Sequence, residues 1–253
     1  MISTALLADA ALLAYEADGA VVRRRLRQAG FDTVHLINWT SPGTQAIVAW
    51  CGDAILIAFR GTEPTSVADV VTDLQAHLVP FPGEGRVHAG FLAALDSVWG
   101  QVRDLLYQSP NGTPIYLTGH SLGAALATLA AHRLSGRVDV AQIPPWRRVE
   151  RLCTFGSPRV GDALFVAGLD QVSVRRHVNA CDIVARRPWL LALLGYRHVG
   201  DVRYHSDGAG IWRSPNALLV AIDRLRAWRR DGLIRSLGDH AMARYHTNVV
   251  AGE

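Results

Sequence analysis

The sequence has 253 residues, of which 49% are hydrophobic and 19% are charged. This composition is typical of a soluble domain with a large core, and it excludes a disordered or collagen-like chain. All 26 basic residues are arginines, and they exceed the 22 acidic residues to give a formal net charge of +4. Because the arginines are scattered among acidic residues, without a nucleic-acid-binding motif, we expect a solvated basic surface and no nucleic-acid partner.

The N-terminal segment and the cysteines bear on the compartment of the protein. Residues 1–19 are typical of an N-terminal helix, and they lack the basic start of a signal peptide. The cysteines are few, odd in number and without metal-ligand spacing, which favours reduced thiols at Cys51, Cys153 and Cys181. The apolar run at residues 188–195 is far shorter than the roughly 20 residues that cross a bilayer. We therefore expect a cytoplasmic protein without a transmembrane segment, with secretion as the alternative.

Apolar runs and helical segments alternate along the chain. Runs typical of strands occupy residues 46–50, 54–59, 114–119, 151–156 and 174–179. Segments with helical periodicity lie between several of them, notably at 90–109 and 122–136. The Cys-Gly-Asp at 51–53 joins the first two strands as a tight hairpin. The pattern predicts a single α/β domain over residues 1–253, with helices on both faces of a mostly parallel sheet whose N-terminal part is antiparallel.

A serine stands at the corner between a predicted buried strand and a helix. The pentapeptide Gly119-His120-Ser121-Leu122-Gly123 matches G-x-S-x-G, the pattern of a nucleophile elbow. The two glycines omit side chains where strand and helix come closest, so that strained backbone can hold the serine outward. The alternative is that Ser121 only caps the helix. In the functional interpretation, the hydroxyl of Ser121 is a nucleophile at the edge of the sheet.

A serine nucleophile needs a histidine base that is oriented by a carboxylate. In hydrolases of this kind the order along the chain is serine, acid, histidine. Asp182 follows a predicted strand and is the candidate acid, although it could instead be a surface carboxylate paired with Arg186 or Arg187. Its position after the strand predicts that it lies at the same sheet edge as the serine.

Four histidines follow the candidate acid, namely His198, His205, His240 and His246. His198 and His205 flank a strand-like segment, which suits packing or edge positions. His240 stands between a turn signal and the last short helix, so it can reach back over the sheet edge. The order and the local pattern therefore favour His240 as the base, with His246 as the second candidate.

Seven segments resemble motifs of the class 3 lipases, the fungal-type triacylglycerol lipase family with the α/β-hydrolase fold. They stand in the family's order at 58–64, 87–91, 118–127, 154–162, 179–188, 196–200 and 239–245. The resemblance implies a triad of Ser121, Asp182 and His240. It also implies an oxyanion hole formed by Thr62, which follows Phe-Arg-Gly, and by the backbone N–H of Leu122. Neither a metal nor another cofactor is expected.

The family also carries a lid after the oxyanion residue, which implies a lid at approximately 63–80 here. Apolar residues in this segment recur at the spacing of one helical face, at Val67, Val70, Val71, Leu74 and Leu78. A core-facing helix would show the same pattern. The family's lid often has a tryptophan near the position of Val70, and this sequence has none there. A smaller, less apolar lid fits soluble or short-chain esters as well as oil droplets.

A second helical insertion is predicted at approximately 211–237, between the candidate acid and the candidate base. Leu218, Ile222, Leu225 and Trp228 share one face of this basic segment, while Arg224, Arg229 and Arg230 lie off it. The apolar face could pack against the domain, or it could contact an anionic lipid surface. Together with residues 189–195, the segment could also form a wall of the acyl pocket.

The sequence therefore predicts a serine carboxylic-ester hydrolase that acts on acylglycerols through a triad and an acyl-enzyme. Phospholipase A1 and short-chain carboxylesterase activity use the same machinery and are the first alternatives. A catalytically inactive hydrolase fold that serves as a binding module is the second. The expected partners are an ester substrate and a lipid–water interface.

Overall fold

An eight-stranded sheet forms the centre of the computed structural model, which describes residues 1–41, 43–61, 77–135, 148–182, 184, 195–207, 210–231 and 238–252. The spatial order of the strands is β1-β2-β3-β6-β7-β8-β9-β10. The strands are β1 (Thr33–Ile37), β2 (Ala46–Trp50), β3 (Ile55–Phe59), β6 (Ile115–His120), β7 (Val149–Phe155), β8 (Val174–Asn179), β9 (Asp201–His205) and β10 (Ile211–Arg213).

The pairing of the strands confirms the predicted mixed sheet. Strands β3, β6, β7, β8 and β9 pair in parallel, whereas β1, β2 and β3 pair in antiparallel fashion. The hairpin at 51–53 produces the antiparallel step, and it is closed by a hydrogen bond from Cys51 N to Ala54 O. Strand β10 adds an antiparallel edge beyond β9, which the sequence did not predict. The parallel centre directs the ends of β6, β7 and β8 to one edge.

Helices cover both faces of this sheet. In the described part of the chain they are α1 (Thr4–Leu13), α2 (Gly19–Gln28), α3 (Ala89–Gln108), α4 (Leu122–Leu134), α5 (Ala163–Ala167), α6 (Ala217–Asp231) and α7 (Met242–Val250). Side chains cap the first two helices: the Ser3 hydroxyl accepts a hydrogen bond at the N-terminus of α1, and the Asp18 carboxylate accepts one at the N-terminus of α2. No helix of the described residues has the length and the apolar run that a membrane span requires.

Strands β2 and β3 are continuous apolar runs because both of their faces are buried. In β3, Ile55, Ile57 and Phe59 join the core that α3 and α4 cover. Leu56 and Ala58 point the other way, into the core that α1 and α7 cover. Helix α7, which follows the candidate base directly, is thus packed beside α1 on this second face.

The C-terminal end of the segment predicted as a helical lid, at approximately 63–80, is not helical. Leu78–Pro80 forms a short strand, β4, which pairs with β5 (Arg86–His88) in a separate two-stranded sheet. Proline at position 80 and the turn that follows it favour this hairpin over a continued helix. The other positions of the predicted apolar face, at Val67, Val70, Val71 and Leu74, lie outside the described residues.

The predicted insertion at 211–237 also differs from the structure. Its first residues form β10, and α6 begins only after Ser214, Pro215 and Asn216, where the Asn216 side chain accepts a hydrogen bond from Leu219 N. A proline at this point cannot donate to the sheet ladder, which explains the break. Residues 232–237 and the side chains of Trp228 and Arg230 lie outside the described part, as do 188–194.

The packing of α6 rules out one of the two alternatives for this segment, namely that its predicted apolar face packs against the domain. The side chains predicted to share its apolar face point to solvent, with exposed fractions of 69%, 40% and 48% at Leu218, Ile222 and Leu225. Val220 and Ala227 contact the domain instead, in a small core with Val178 and Tyr204. Packing of the Leu218 face against the domain is therefore wrong.

Candidate active site

Ser121 is the single residue between β6 and α4, and its backbone is strained. Its φ of 55° and ψ of −123° lie in a region that residues other than glycine rarely adopt. Its hydroxyl makes no capping hydrogen bond to the helix, so the alternative role as a helix cap is not supported. The strain costs about 1–3 kcal/mol, and strain of this kind clusters at functional sites.

The two glycines of the pentapeptide allow this turn. A side chain at Gly119 would collide with the carbonyl of Gly123, and one at Gly123 would collide with the carbonyl of Phe59. Gly61 approaches Ser121 from another direction, because a Cβ on Gly61 would lie 3.3 Å from the Cβ of Ser121. The chain after β3 therefore passes directly beside Ser121.

Asp182 and His240 form a buried pair. The Nδ1 atom of His240 lies 3.0 Å from each carboxylate oxygen of Asp182, and the side chains are 3% and 0% exposed. The carboxylate also accepts hydrogen bonds from the Tyr245 hydroxyl at 2.5 Å and from Val184 N at 2.8 Å. Because an ionised carboxylate can only accept hydrogen bonds, the proton of the neutral His240 ring must be on Nδ1. The other nitrogen, Nε2, is then left as an acceptor.

The acceptor nitrogen of His240 is available. His240 Nε2 is buried and makes no hydrogen bond with any residue that the structure describes. The structure thus joins Asp182 to His240, but it does not form a hydrogen bond between Ser121 and the ring. In hydrolases without substrate this contact is often loose, and it tightens when substrate binds.

The end of β7 contacts all three candidate residues. Ser121 N donates to Phe155 O at 3.0 Å. The next residue, Gly156, has a φ of 59°, and a Cβ on it would lie 2.8 Å from Asp182 Oδ2 and 3.0 Å from His240 Nδ1. A glycine is therefore needed where this strand end supports the Asp182–His240 pair. The sequence showed Gly156 inside a family motif, but its spacing alone gave no reason for this role.

His120 holds the loop that carries the candidate base. Its Nε2 donates to the backbone carbonyl of His240 at 2.5 Å, and its Nδ1 accepts from the Tyr15 hydroxyl at 2.7 Å. Burial, with a smaller effect of His240, lowers the pKa of His120 to about 3, so the ring is neutral at neutral pH. This ring links the turn after α1, the nucleophile corner and the His240 loop, a role that the pentapeptide pattern did not reveal.

Asp239 joins the loop of the candidate acid to the loop of the candidate base. Its carboxylate accepts a hydrogen bond from Cys181 N at 2.9 Å and forms an ion pair with Arg244 at 3.0 Å. Its backbone carbonyl accepts from the Asn179 amide at 2.8 Å. The hydrogen bonds from Cys181 and Asn179 connect the segment before Asp182 with the residue before His240, so the two side chains are held in a fixed relation.

The other sequence candidates have different surroundings. His246, the second candidate for the base, lies 2.6 Å from Asp9 of α1, and His205 lies 2.8 Å from His177. Leu122 is the first residue of α4, where the backbone N–H has no partner within the helix. Thr62 lies outside the described residues, as do the alternative partners of Asp182, Arg186 and Arg187.

Tyr245 is a site residue that the sequence did not single out as such. Burial and the adjacent Asp182 carboxylate raise the pKa of its hydroxyl well above the ordinary value, so that it remains a donor to Asp182. The same oxygen accepts a hydrogen bond from Asn179 N at 3.0 Å. Its position in the motif at 239–245 was visible in the sequence, but its contact with a residue 63 positions away was not.

Comparison with known proteins gives one consistent family. A model of the family described as lipase (class 3) matches residues 56–191, more than half of the chain. A lipase from Rhizomucor miehei is 34% identical over 177 residues, which cover 66% of this chain and 46% of that protein. A secreted mono- and diacylglycerol lipase from Gibberella zeae is 35% identical over 143 residues, which cover 47% and 33% of the two chains.

A relative with a different named activity is a chloroplastic phospholipase A1 from Arabidopsis thaliana. It is 31% identical over 157 residues, which cover 53% of this chain and 33% of that protein. This chain thus spans less than half the length of the three curated relatives. Among solved structures, the native Rhizomucor miehei lipase in its propeptide complex has a TM-score of 0.59 at 26% identity, covering 88% of this chain and 78% of that chain. The α/β-hydrolase fold expected from the sequence is confirmed, and the chain belongs to the class 3 lipase family.

Proposed function

We propose that this protein is a serine ester hydrolase that acts on acylglycerols as a lipase. The observation that carries the proposal is the His240 ring, which has one nitrogen against the buried Asp182 carboxylate and the other buried without a partner among the described residues. The strained Ser121 is connected to this pair through Phe155, Gly156 and His120. This is the arrangement that general-base activation of a hydroxyl requires.

In the proposed reaction, Ser121 Oγ attacks the acyl carbon of the ester while its proton moves to His240 Nε2. The tetrahedral intermediate collapses, the bond to the alcohol oxygen breaks, and His240 gives the proton to that oxygen. Water then attacks the acyl-enzyme and transfers a proton to His240, and His240 returns this proton to Ser121 Oγ as the fatty acid leaves. Asp182 keeps the ring in the required tautomer and stabilises the imidazolium, without taking the proton itself.

The oxyanion hole of this proposal consists of two backbone N–H groups, from Leu122 and Thr62. Leu122 N is at the positive end of the α4 dipole, which favours the developing negative charge. Thr62 follows Gly61, whose close approach to Ser121 supports this assignment. The Thr62 hydroxyl would act as a third donor.

Acylglycerols are the proposed substrates because the relatives from Rhizomucor miehei and Gibberella zeae are named as lipases. The lid between Thr62 and β4, and an acyl pocket bordered by residues 189–195, belong to the same proposal. A second candidate, phospholipase A1 activity, is favoured by the Arabidopsis thaliana relative. A lipase, a phospholipase A1 and a short-chain carboxylesterase would all use the same triad.

The location and the domain organisation are proposals as well. The relative from Gibberella zeae is named as secreted, so secretion is compatible with this family, and the relatives lend no support to a cytoplasmic location. We retain one α/β domain over residues 1–253 as the working description. An inactive binding module is the less favoured alternative, since the three triad residues are all present in the family's order.

A panel of esters tests the proposal, with wild type and Ser121→Ala side by side. The substrates are an emulsified long-chain triacylglycerol, a soluble p-nitrophenyl butyrate and a phosphatidylcholine. We expect wild type to release fatty acid from the acylglycerol faster than from the phospholipid, and Ser121→Ala to release none from either. Preference for the phospholipid would select the second candidate, and hydrolysis of no ester would favour the binding module.

A further inference from the structure

Helix α6 exposes an apolar face. Four of the eight large hydrophobic side chains exposed in the described part of the chain lie on this one helix, with exposed fractions of 69%, 49%, 40% and 48% at Leu218, Leu219, Ile222 and Leu225. At 100° per residue, Leu218, Ile222 and Leu225 fall on one side of the helix, and Leu219 borders them. A contiguous apolar surface of this kind marks an interaction site more often than single exposed residues do.

The opposite side of α6 is firmly attached, so this orientation is fixed. Ala227 is fully buried, and the Asp223 carboxylate accepts a hydrogen bond from the Tyr204 hydroxyl at 2.8 Å. Arg224 Nε donates to the backbone carbonyl of Ala180 at 3.0 Å. Turning the leucines inward would break these contacts. The contacts on the opposite side of α6 therefore keep its apolar side exposed.

The chemistry around this apolar side is cationic. Arg226 and Arg229 are exposed, and Arg229 lies on the same side as Leu225 and Ile222, one turn after Leu225 and two turns after Ile222. Neither arginine forms an ion pair with a residue that the structure describes. Asp223 is the only acidic residue of α6 whose side chain the structure describes, since the side chain of Asp231 lies outside the described part, and Asp223 points to the core. Apolar residues bordered by arginines are typical of a helix that lies in the interface of an anionic membrane.

We propose that this surface, the α6 face (Leu218, Leu219, Ile222, Leu225, Arg226 and Arg229), binds an anionic lipid bilayer. Its leucines and isoleucine would enter the boundary between head groups and acyl chains, while the arginines contact lipid phosphates or other anionic head groups. A second copy of this chain fits less well, because two such faces would place arginines against arginines. Since bilayer binding requires no bond cleavage, this inference goes beyond the proposed hydrolase function.

The α6 face lies on the helix that supports the loop of the candidate acid. The carbonyl that holds Arg224 belongs to Ala180, two residues before Asp182. A bilayer bound by α6 therefore lies against an element in direct contact with the proposed catalytic loop. This contact gives the docking surface a route to the chemistry without making any of its residues catalytic.

Vesicle sedimentation of the full chain tests the proposal. Ser121→Ala serves as the background, so that the lipid is not consumed and binding is measured apart from hydrolysis. The vesicles contain either phosphatidylcholine alone or equal parts of phosphatidylcholine and phosphatidylglycerol. We expect binding to the mixed vesicles to exceed binding to phosphatidylcholine by at least about tenfold at low salt, and to fall as salt is added.

Two double substitutions, each with a matched control, identify the surface. Leu218→Gln with Leu225→Gln should lower the partition coefficient at least about tenfold, whereas Leu164→Gln with Val250→Gln should leave it unchanged. The control positions are similarly exposed, at 62% and 51%. Arg226→Gln with Arg229→Gln should lower it about 10- to 30-fold, since each arginine near an anionic surface contributes about fivefold. Arg24→Gln with Arg25→Gln removes the same charge from α2 and should have little effect.

Three results would overturn the proposal. The first is binding of the Ser121→Ala protein that is no stronger to the anionic vesicles than to phosphatidylcholine. The second is equal weakening by the α6 substitutions and by their controls. The third is a dimer in solution that Leu218→Gln with Leu225→Gln dissociates, because the α6 face would then bind a second copy. A failure of ester hydrolysis by wild type would leave all three readouts intact, so the two proposals can fail separately.

Discussion

Two buried histidine pairs lie in the same structure, and they differ in the partner of the ring. His240 contacts the carboxylate of Asp182, whereas His177 contacts another imidazole, that of His205, at 2.8 Å. Both pairs are almost fully buried. Burial of a histidine therefore does not by itself create a base. The carboxylate makes the difference, because it can stabilise the ring after the ring has taken a proton.

The charges around the second pair oppose protonation. Burial lowers the pKa of His177 well below its ordinary value, and His205, Arg203 and Arg175 lower it further. Burial alone lowers the pKa of His205 to about 4. Both rings therefore stay neutral at neutral pH and act as a structural hydrogen bond between β8 and β9. If this comparison is correct, substitutions at the two pairs should have separable effects on activity and on stability.

The largest expected effect follows from removing the proposed nucleophile or base. Ser121→Ala and His240→Ala should each lower kcat by about 10⁴- to 10⁶-fold, because either loss ends the covalent route. Initial rates on p-nitrophenyl butyrate measure this effect. His246→Ala is the control, since that ring contacts Asp9, and it should retain activity within about threefold of wild type. Loss of activity in the control alone would reverse the assignment of the base.

A smaller loss is expected when the carboxylate becomes an amide. Asp182→Asn should lower kcat about 10³- to 10⁴-fold, since the amide can donate to Nδ1 and select the wrong tautomer of His240. The variant keeps the size of the side chain, and thermal unfolding will show whether it folds. A folded variant with nearly wild-type kcat would mean that the Asp182–His240 contact is structural, like the His177–His205 contact.

Tyr245 sharpens the comparison, because it donates to the carboxylate and does not touch the serine. Tyr245→Phe should lower kcat about 3- to 10-fold and leave KM unchanged, as expected for the loss of one hydrogen bond worth about 1 kcal/mol. Steady-state kinetics at saturating and limiting ester separate the two constants. A rise in KM at constant kcat would instead place Tyr245 in substrate binding.

The smallest effect on activity is expected at the second pair, where stability should depend on pH. Since the folded pKa of His205 is near 4 and its ordinary value is near 6.5, the unfolded state binds more protons between these values. The free energy of unfolding should therefore fall as the pH drops from about 6.5 to about 4. His205→Gln should reduce this slope by about 1.4 kcal/mol per pH unit at most.

Urea titrations across this pH range measure the slope, and wild type is the reference for each pH. Equal slopes in wild type and His205→Gln would show that His205 is protonated equally in the folded and unfolded states. In either case, activity at neutral pH should stay within about threefold of wild type, provided that the variant folds.

The sequence predicted local elements well where a single physical signal decided them. Strand β2 has the predicted bounds, because both faces of the sheet are covered there and its apolar run is continuous. Strand β8 also has the predicted bounds, although Arg175, Arg176 and His177 interrupt its apolar residues. The elbow at Ser121 could also be predicted, since its pattern is local and Gly119 is required by its contact with Gly123, although Gly123 is required by a contact with the distant Phe59. The antiparallel strand β10 was missed, because three residues without clear alternation carry little signal.

Other features depended on contacts between distant parts of the chain. Periodicity showed that Leu218, Ile222 and Leu225 share a side of α6, but it could not show that Val220 and Ala227 face the core. The hydrogen bonds of Tyr245 with Asp182 and of His120 with His240 join residues 63 and 120 positions apart. No local pattern records such distances, so these positioning residues became visible only in the folded structure.

The most direct test of the account is the position of a covalent adduct. The folded wild-type protein is treated with a fluorophosphonate, digested and analysed by mass spectrometry of its peptides. We expect one phosphonylated residue, Ser121. Labelling should be strongly slowed in His240→Ala and absent in Ser121→Ala. An adduct on another serine, or labelling of Ser121→Ala at the wild-type rate, would contradict it.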